Sequence, residues 1–344
     1  MTAVQATAIL LWLGVTAYAI FGGADFGAGF WDLAAGGSEQ GLGPRALIAE
    51  AIGPVWEANH TWLIFDLVIL WTAFPPAFAS IMSTLFIPLS LAAFGIVLRG
   101  AAFAFRPVAT GLAGRRAAGA IFAASSIVTP FFLGAAGGAI ASGRVPAGNA
   151  AGDPLASWLN PTSVLIGLLA IATCAYLASV FLVAEARRRS LPELAAYFQL
   201  RATVAAVVAG ALAVVGIGVL RADAPALADE LTSRGWPLVA ASGVLGTAAL
   251  LLLRRGAAPR VTRVLAAGAV VAIVWGWGVA QDPDILPGSL SLTDAASPSG
   301  SLEALMAIFV VAALVIAPSL AFLYRLDERG RLVGHGVGTD VGHG

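Results

Sequence analysis

Long apolar runs, separated by short segments rich in polar residues, glycine or proline, make up most of the chain. Nine of these runs are long enough to cross the hydrocarbon core of a bilayer as helices, which takes about 20 residues. They cover residues 5–27, 50–74, 77–102, 116–142, 161–185, 200–221, 236–253, 263–280 and 302–324. The pattern predicts an all-α, polytopic membrane protein, because a helix satisfies its own backbone polar groups within lipid.

The predicted helices suggest two four-helix bundles and one further helix. We expect the first bundle, which carries the acidic motifs, in residues 1–142 and the second in residues 143–280. Residues 281–344 then hold an outside loop, the ninth helix and a glycine-rich cytoplasmic tail. The first run lacks a basic segment before it and is long enough to span, so we expect no cleaved signal peptide.

Arginine placement predicts the orientation of these helices. With the N-terminus outside, the outside segments hold only Arg144, Arg221 and Arg234. The cytoplasmic segments then hold Arg45, Arg99, Arg106, Arg115, Arg116, Arg187, Arg188, Arg189, Arg201, Arg254, Arg255, Arg260, Arg263, Arg325, Arg329 and Arg331. Because basic residues favour the cytoplasmic side, we predict an outside N-terminus and a cytoplasmic C-terminus.

Composition excludes several classes of protein. Of 344 residues, 59% are hydrophobic and 11% are charged, and the formal net charge is zero. Such values do not describe an ordinary soluble protein, and they indicate no nucleic-acid partner. The single cysteine, Cys174, lies in an apolar run and is expected to be a small core residue.

The first predicted helix ends in a glycine-rich segment that contains an acid. Gly23 and Gly27 are four residues apart, and small residues at this spacing let another helix backbone approach closely. Asp25 lies between them, so we expect its carboxylate to be buried against a neighbour rather than exposed to lipid. The alternative is a tight helix end with a capping aspartate.

The second predicted helix carries the densest set of polar groups. Its ionisable and hydrogen-bonding residues are Glu57, Asn59, His60 and Asp66, accompanied by Trp56 and Trp62. Ionisable groups are costly within a membrane, so they usually face a protein interior or a water-filled path. Near the end of the third predicted helix, Arg99 lies close enough to the apolar run to pair with an acid from a neighbouring helix.

The residue types point to proton chemistry rather than to a bound cofactor. His60 is the only histidine in a predicted span, so we expect no heme ligand set and no metal site in this chain. Proton relays in membranes use groups such as Asp25, Glu57, Asn59, His60 and Asp66. A structural hydrogen-bond cluster that locks the first two helices together is the alternative, and the residues alone leave both open.

Four segments together resemble subunit II of cytochrome bd-type quinol oxidases. They are residues 22–29 (GGADFGAG), 53–59 (GPVWEAN, followed by Trp62), 99–106 (RGAAFAFR) and 291–297 (SLTDAAS). The first two are specific, and the last two are weak alone. Across the second bundle the resemblance rests mostly on hydropathy.

The resemblance implies a place in a larger complex. In that family a subunit I binds b-type and d-type hemes and oxidises quinol, while subunit II carries no heme ligands and assists proton or oxygen delivery. It therefore implies a heme-bearing partner, contact with quinol and membrane lipids, small single-span accessory subunits in some complexes, and in some members a bound structural quinone. It also implies a prokaryotic cell membrane, with Asp25 and Glu57 in the acidic positions of the family.

Two positions depart from the family pattern. Ala104 stands where the family often has an acid, and Asp66 is an acid where many members are apolar. A proton path shifted to Asp66 and a divergent member with a different partner both remain open. The runner-up hypotheses are a proton-coupled secondary transporter, with Asp25, Glu57 and Asp66 as ligands, and a structural scaffold without chemistry.

Overall fold

Helices account for almost all of the fold, and the all-α prediction is confirmed. The computed structural model describes residues 2–35, 41–105 and 111–328. Within these ranges, the side chains of 52–58, 103, 111–113, 115–116, 313, 316–317 and 320–328 lie outside what it describes. The helices are α1 (Ala3–Ala34), α2 (Leu42–Ala73), α3 (Pro75–Thr84), α4 (Phe86–Phe105), α5 (Gly111–Ala141), α6 (Pro161–Arg188), α7 (Pro192–Asp223), α8 (Pro225–Ser233), α9 (Trp236–Arg254), α10 (Pro259–Gln281), α11 (Leu292–Ala295) and α12 (Ser299–Glu328). Two short antiparallel strands, β1 (Asp284–Leu286) and β2 (Leu290–Ser291), precede α11.

The helix starts follow from local sequence. The hydroxyl of Thr2 accepts a hydrogen bond from the Gln5 amide, and the Gln5 side-chain oxygen accepts one from the Thr2 amide. The two bonds form a complete capping box at the start of α1. Asn160 caps α6 through a bond from the Ser163 amide. Proline occupies the first turn of α3, α6, α7, α8, α9 and α10, where its missing N–H is not needed.

Six helices are long and apolar enough to span a membrane within the described residues. They are α1, α6, α7, α9, α10 and the part of α5 from Ala117 onward. The segments 59–73 and 75–84 form a further candidate span that changes direction by 120° at Phe74, and 86–102 and 299–312 are shorter apolar helices. The count of nine spans therefore stays a prediction.

The predicted third span is wrong as a single helix. Residues 77–102 divide into α3 and α4 at Leu85, whose backbone angles (φ −100°, ψ 24°) leave the helical range. Ser80 and Ser83 in α3 accept bonds from the loop amides of Gly148 and Ala150, at 2.9 and 2.7 Å. These bonds tie α3 to the 142–160 connection, and Pro88 lies in the first turn of α4, a position that suits a helix start better than a helix interior.

Helix α1 contacts helices from both predicted bundles. It packs against α2, α5, α6 and α10. One apolar core joins residues of the first predicted bundle, such as Ala28 and Phe122, to Leu177, Phe198 and Val270 of the second. The division of the chain into two bundles stays a prediction, but the core between them is continuous.

The predicted outside connections contain more structure than their composition suggested. Besides the two strands, they include α8 and α11. The carboxylate of Asp223, at the end of α7, accepts bonds from the Thr162 hydroxyl (2.6 Å) and amide (3.0 Å) and from Arg144 (2.9 Å). Burial by itself would raise the pKa of Asp223, but these bonds outweigh it and the pKa lies below its ordinary value.

Candidate functional site

An ion pair between α1 and α4 lies at the centre of the candidate site. Arg99 donates from Nη2 to Oδ1 of Asp25 at 2.5 Å and to the Asp25 backbone carbonyl at 2.8 Å. Both side chains are completely shielded from solvent. Because a buried charge without a partner is very costly, neither side chain could be removed from this position without exposing the other to that cost.

The rest of the Arg99 guanidinium is enclosed by α1 and α5. Its Nη1 donates to the hydroxyl of Ser126, which donates in turn to the Phe122 carbonyl at 2.6 Å. The rings of Phe122 and Phe26 lie 4.3 and 5.1 Å from the guanidinium carbon, within the range of cation–π attraction. Three helices therefore fix the position of this one cation.

Helix α2 reaches the ion pair through Asn59. Its amide nitrogen lies 3.4 Å from Oδ2 of Asp25, a long hydrogen bond, and the residue is fully buried. Neither Oδ1 of Asn59 nor Nε of Arg99 has a hydrogen-bond partner within the described residues, although both atoms are buried. Since buried polar atoms are nearly always paired, the cluster has one acceptor and one donor open for water or for a further side chain.

Glycines create the space that the ion pair needs. A Cβ on Gly27 would overlap the Cys174 carbonyl of α6, and one on Gly23 would stand 2.9 Å from a methyl carbon of Leu177. A Cβ on Gly29 would overlap the Ser126 hydroxyl. The predicted close approach at Gly23 and Gly27 is thus made by a helix of the same chain, and it brings α1 within reach of α4 and α6 together.

Asp66 lies on the same side of α2 as Asn59 but outside the ion-pair cluster. Its Oδ1 is buried, has no hydrogen-bond partner within the described residues, and faces Gly14 of α1. Seven residues of helix place it about 10 Å from Asn59 along the axis. The structure therefore brings Asp25, Asn59 and Arg99 together and leaves Asp66 as a separate buried acid.

The other residues singled out from the sequence have varied surroundings. His60 and Trp62 are half-buried, and the Trp62 ring meets Phe65 edge to face at 6.0 Å. Ala104 is exposed. The side chains of Trp56 and Glu57 lie outside the described residues, so their predicted roles stay predictions.

Sequence reasoning missed the contribution of α5. Ser126 and Phe122 bond and cover the Arg99 guanidinium, yet α5 was treated only as an apolar span. The available signal was the polar group formed by Ser125, Ser126 and Thr129 within that span, since all three are buried. Hydroxyl residues gathered on one part of a membrane helix indicate a polar neighbour.

The expectation that this chain holds no heme ligand set and no metal site stays a prediction. The described part of the chain contains no group of three metal-ligating side chains. The Cys174 sulfur lies 3.9 Å from where a Cβ on Gly23 would stand, so no porphyrin edge fits between α1 and α6 at this thiol. What the site offers is a buried carboxylate, a matched cation and two open hydrogen-bonding atoms.

Fold and site define a polytopic α-helical membrane protein with a buried charge cluster between its helices. The family model described as cytochrome bd terminal oxidase subunit II matches residues 4–327, and the chain belongs to this family. The resemblance of the four sequence segments is thereby confirmed.

The chain is also similar to two individual proteins. The cytochrome bd ubiquinol oxidase subunit 2 of Bacillus subtilis (strain 168) is 31% identical over 112 residues, which are 33% of this chain and 32% of the relative. This match thus spans about a third of the curated relative's length. A chain in the structure of bd oxidase from Geobacillus thermodenitrificans has the same fold, with a TM-score of 0.74, 24% identity, and coverage of 95% of this chain and 98% of that one.

Proposed function

We propose that this chain is the heme-free subunit of a membrane quinol oxidase, where it packs against a heme-bearing subunit I and delivers protons for the reduction of oxygen to water. Family membership across residues 4–327 supports the assignment to such a complex. The hemes, of b and d type, belong to the partner, because His60 is the only histidine in a predicted span of this sequence. Quinol reacts at the partner, and a quinone bound to this chain would have a structural role.

The buried cluster of Asp25, Arg99 and Asn59 is the observation that carries the proton-delivery proposal. The open acceptor of Asn59 and the open donor of Arg99 leave room for water or a further side chain beside the Asp25 carboxylate, and a relay would use such a place. On the predicted orientation, Asp25 lies near the cytoplasmic end of α1. The relay therefore takes protons from the cytoplasm.

Glu57 extends this relay towards the cytoplasm. Its backbone precedes Asn59 by two residues, or about 3 Å along the axis of α2, so Glu57 and Asp25 lie at similar depth. Two acids at one depth on adjacent helices can share a proton. His60, one residue after Asn59, and Asp66, further along α2, are the remaining candidates for the path.

The transporter hypothesis gains no support from the site. Asp25 is 1% exposed and engaged from two sides by Arg99 and Asn59, so it presents no open carboxylate to a substrate. The bend between α2 and α3 lies beside Pro75, next to the outside connection, rather than at a substrate site. Family membership weighs against this class as well.

Asn59→Leu tests the relay without breaking the ion pair. The substitution removes the amide beside Asp25, while Arg99 still neutralises the carboxylate. We expect the complex to assemble with its hemes, and quinol-driven oxygen consumption to fall at least about tenfold, or 1.4 kcal/mol of barrier. A slower proton-transfer step should also enlarge the solvent deuterium isotope effect.

Ser125→Ala is the matched control. Ser125 is buried close to the cluster, but among the residues that the structure describes its hydroxyl bonds only to the Phe122 carbonyl of its own helix, at 3.0 Å. We expect this variant to keep full turnover. If Asn59→Leu also keeps full turnover, or fails to assemble while Ser125→Ala assembles, the cluster is structural and the relay is wrong.

A further inference from the structure

An open groove between α7 and α9 lies at the end of the second bundle where basic residues gather. It has a volume of about 330 Å³ and is lined by Ala196, Gln199, Leu200, Thr203 and Arg254. No part of the ion-pair cluster contributes to it. The groove combines a cation, an amide and apolar side chains at the predicted boundary between cytoplasm and membrane.

The polar end of the groove is oriented by neighbouring residues. Arg187 donates to the Gln199 side-chain oxygen at 3.0 Å and to the Gly256 carbonyl at 2.7 Å. Because its oxygen is engaged in this way, the Gln199 amide presents its nitrogen as a hydrogen-bond donor. The donor belongs to a side chain that is already held in place.

This end of the molecule carries a net positive charge. Glu185 is engaged by Arg188 and Arg189, and Glu50 is engaged by Arg189. Glu193 is exposed one turn before Ala196 but does not line the groove, and the arginines at this end outnumber these three acids. No ion pair joins Arg254 to an acid within the described residues, and Arg254 is exposed. An anion in the groove would therefore meet a guanidinium with its hydrogen-bonding capacity open.

Apolar side chains continue from the groove along the helices into the membrane. On α7, Leu200, Val204 and Val207 are 64, 52 and 55% exposed, and they follow one another at helical spacing. On α9, Leu251 lies one turn before Arg254 and is 49% exposed. The surface beside the cation thus suits hydrocarbon rather than water.

We propose that this groove binds an anionic phospholipid, with the phosphate at Arg254 and Gln199 and an acyl chain along Leu200, Val204 and Leu251. Arginine is well suited to a phosphate, which it can contact with two parallel hydrogen bonds. Basic pockets between membrane helices on the cytoplasmic side are a common place for acidic headgroups. The apolar wall selects a lipid over free phosphate.

The test measures lipid binding by the full-length protein as purified from the membrane, delipidated and analysed by native mass spectrometry. Phosphatidylglycerol should bind and phosphatidylcholine should not bind at the same concentration. Arg254→Gln should weaken phosphatidylglycerol binding about fivefold, which corresponds to about 1 kcal/mol for one basic residue near an anionic lipid. Gln199→Leu should weaken it as well.

Arg260→Gln is the matched control, because Arg260 is exposed at the same end of the molecule but does not line the groove. This variant should bind phosphatidylglycerol like the unaltered protein, and excess inorganic phosphate should not displace the lipid. If the Arg254 and Arg260 variants lose phosphatidylglycerol binding to the same extent, general surface charge explains the binding and the proposal is overturned. Equal binding of phosphatidylcholine, or displacement by inorganic phosphate, would overturn it too.

Discussion

Replacing Arg99 by methionine should destabilise the protein strongly, because it leaves the Asp25 carboxylate buried without its cation. Arg99 supplies the contacts at 2.5 Å to Oδ1 and 2.8 Å to the backbone carbonyl, and only the long Asn59 bond at 3.4 Å would remain. Removing one partner of a buried ion pair typically costs about 3–5 kcal/mol. We expect a loss of this size in the free energy of unfolding, measured by equilibrium unfolding in mixed micelles.

The double variant Asp25→Asn/Arg99→Met separates the ion pair from simple packing. With both charges removed, nothing ionised remains buried at the site, so much of the lost stability should return. We expect a coupling energy of about 1–3 kcal/mol between the two positions. Additive effects of the two single substitutions would show that the charges do not stabilise each other.

An exposed ion pair provides the comparison. The Arg234 Nη2 and Asp282 Oδ2 atoms lie 3.3 Å apart, and 47 and 53% of the two side chains are exposed. Arg234→Gln should therefore lower the free energy of unfolding by at most about 1 kcal/mol. The reasoning is refuted if Arg99→Met lowers the free energy of unfolding by no more than Arg234→Gln does.

Three further predictions follow from other parts of the structure. Gly27→Leu should prevent folding or assembly, since its side chain would occupy the position of the Cys174 carbonyl, whereas Gly210→Leu, with open space around it, should be tolerated, as membrane yield of the two variants would show. Because the folded pKa of Asp223 is lowered, its ionised form stabilises the fold at neutral pH and this contribution is lost as the pH falls through the folded pKa; Asp223→Asn should therefore reduce thermal stability at neutral pH and flatten its acid dependence. Glu57→Gln should leave the hemes intact but lower oxygen consumption about tenfold, or 1.4 kcal/mol of barrier, and unchanged turnover would remove Glu57 from the relay.

The helical class and most helix positions could be predicted from the sequence because lipid imposes a simple rule on apolar runs. The break at Leu85 was missed although Pro88 follows it by three residues, and a proline favours the first turn of a helix over its interior. The bonds from Ser80 and Ser83 to a distant loop could not be read from the sequence. The β1–β2 hairpin was missed for a different reason. Its strands are three and two residues long, too short for a periodic signal.

At the candidate site, the sequence identified each charged group but not the full set of contacts. Asp25 and Arg99 were conspicuous because charge within apolar runs is costly, and their pairing follows from that cost. Phe122 carries no such signal, since a phenylalanine in a membrane helix is common, and the only signal at Ser126 was its grouping with Ser125 and Thr129 within one apolar run. Asp66 was expected to belong to the cluster, because it shares a helix face with Asn59. It lies too far along α2 to touch Asp25.

The central claim is that this chain functions as the heme-free subunit of a quinol oxidase, and an affinity tag on this chain tests it most directly. Purified from its native membrane, the tagged chain should bring down a second large helical protein and give a reduced-minus-oxidised spectrum of bound heme. The same chain expressed alone should give none. Recovery without any heme protein, or a stoichiometric heme spectrum from the single chain that His60→Ala abolishes, would contradict the account.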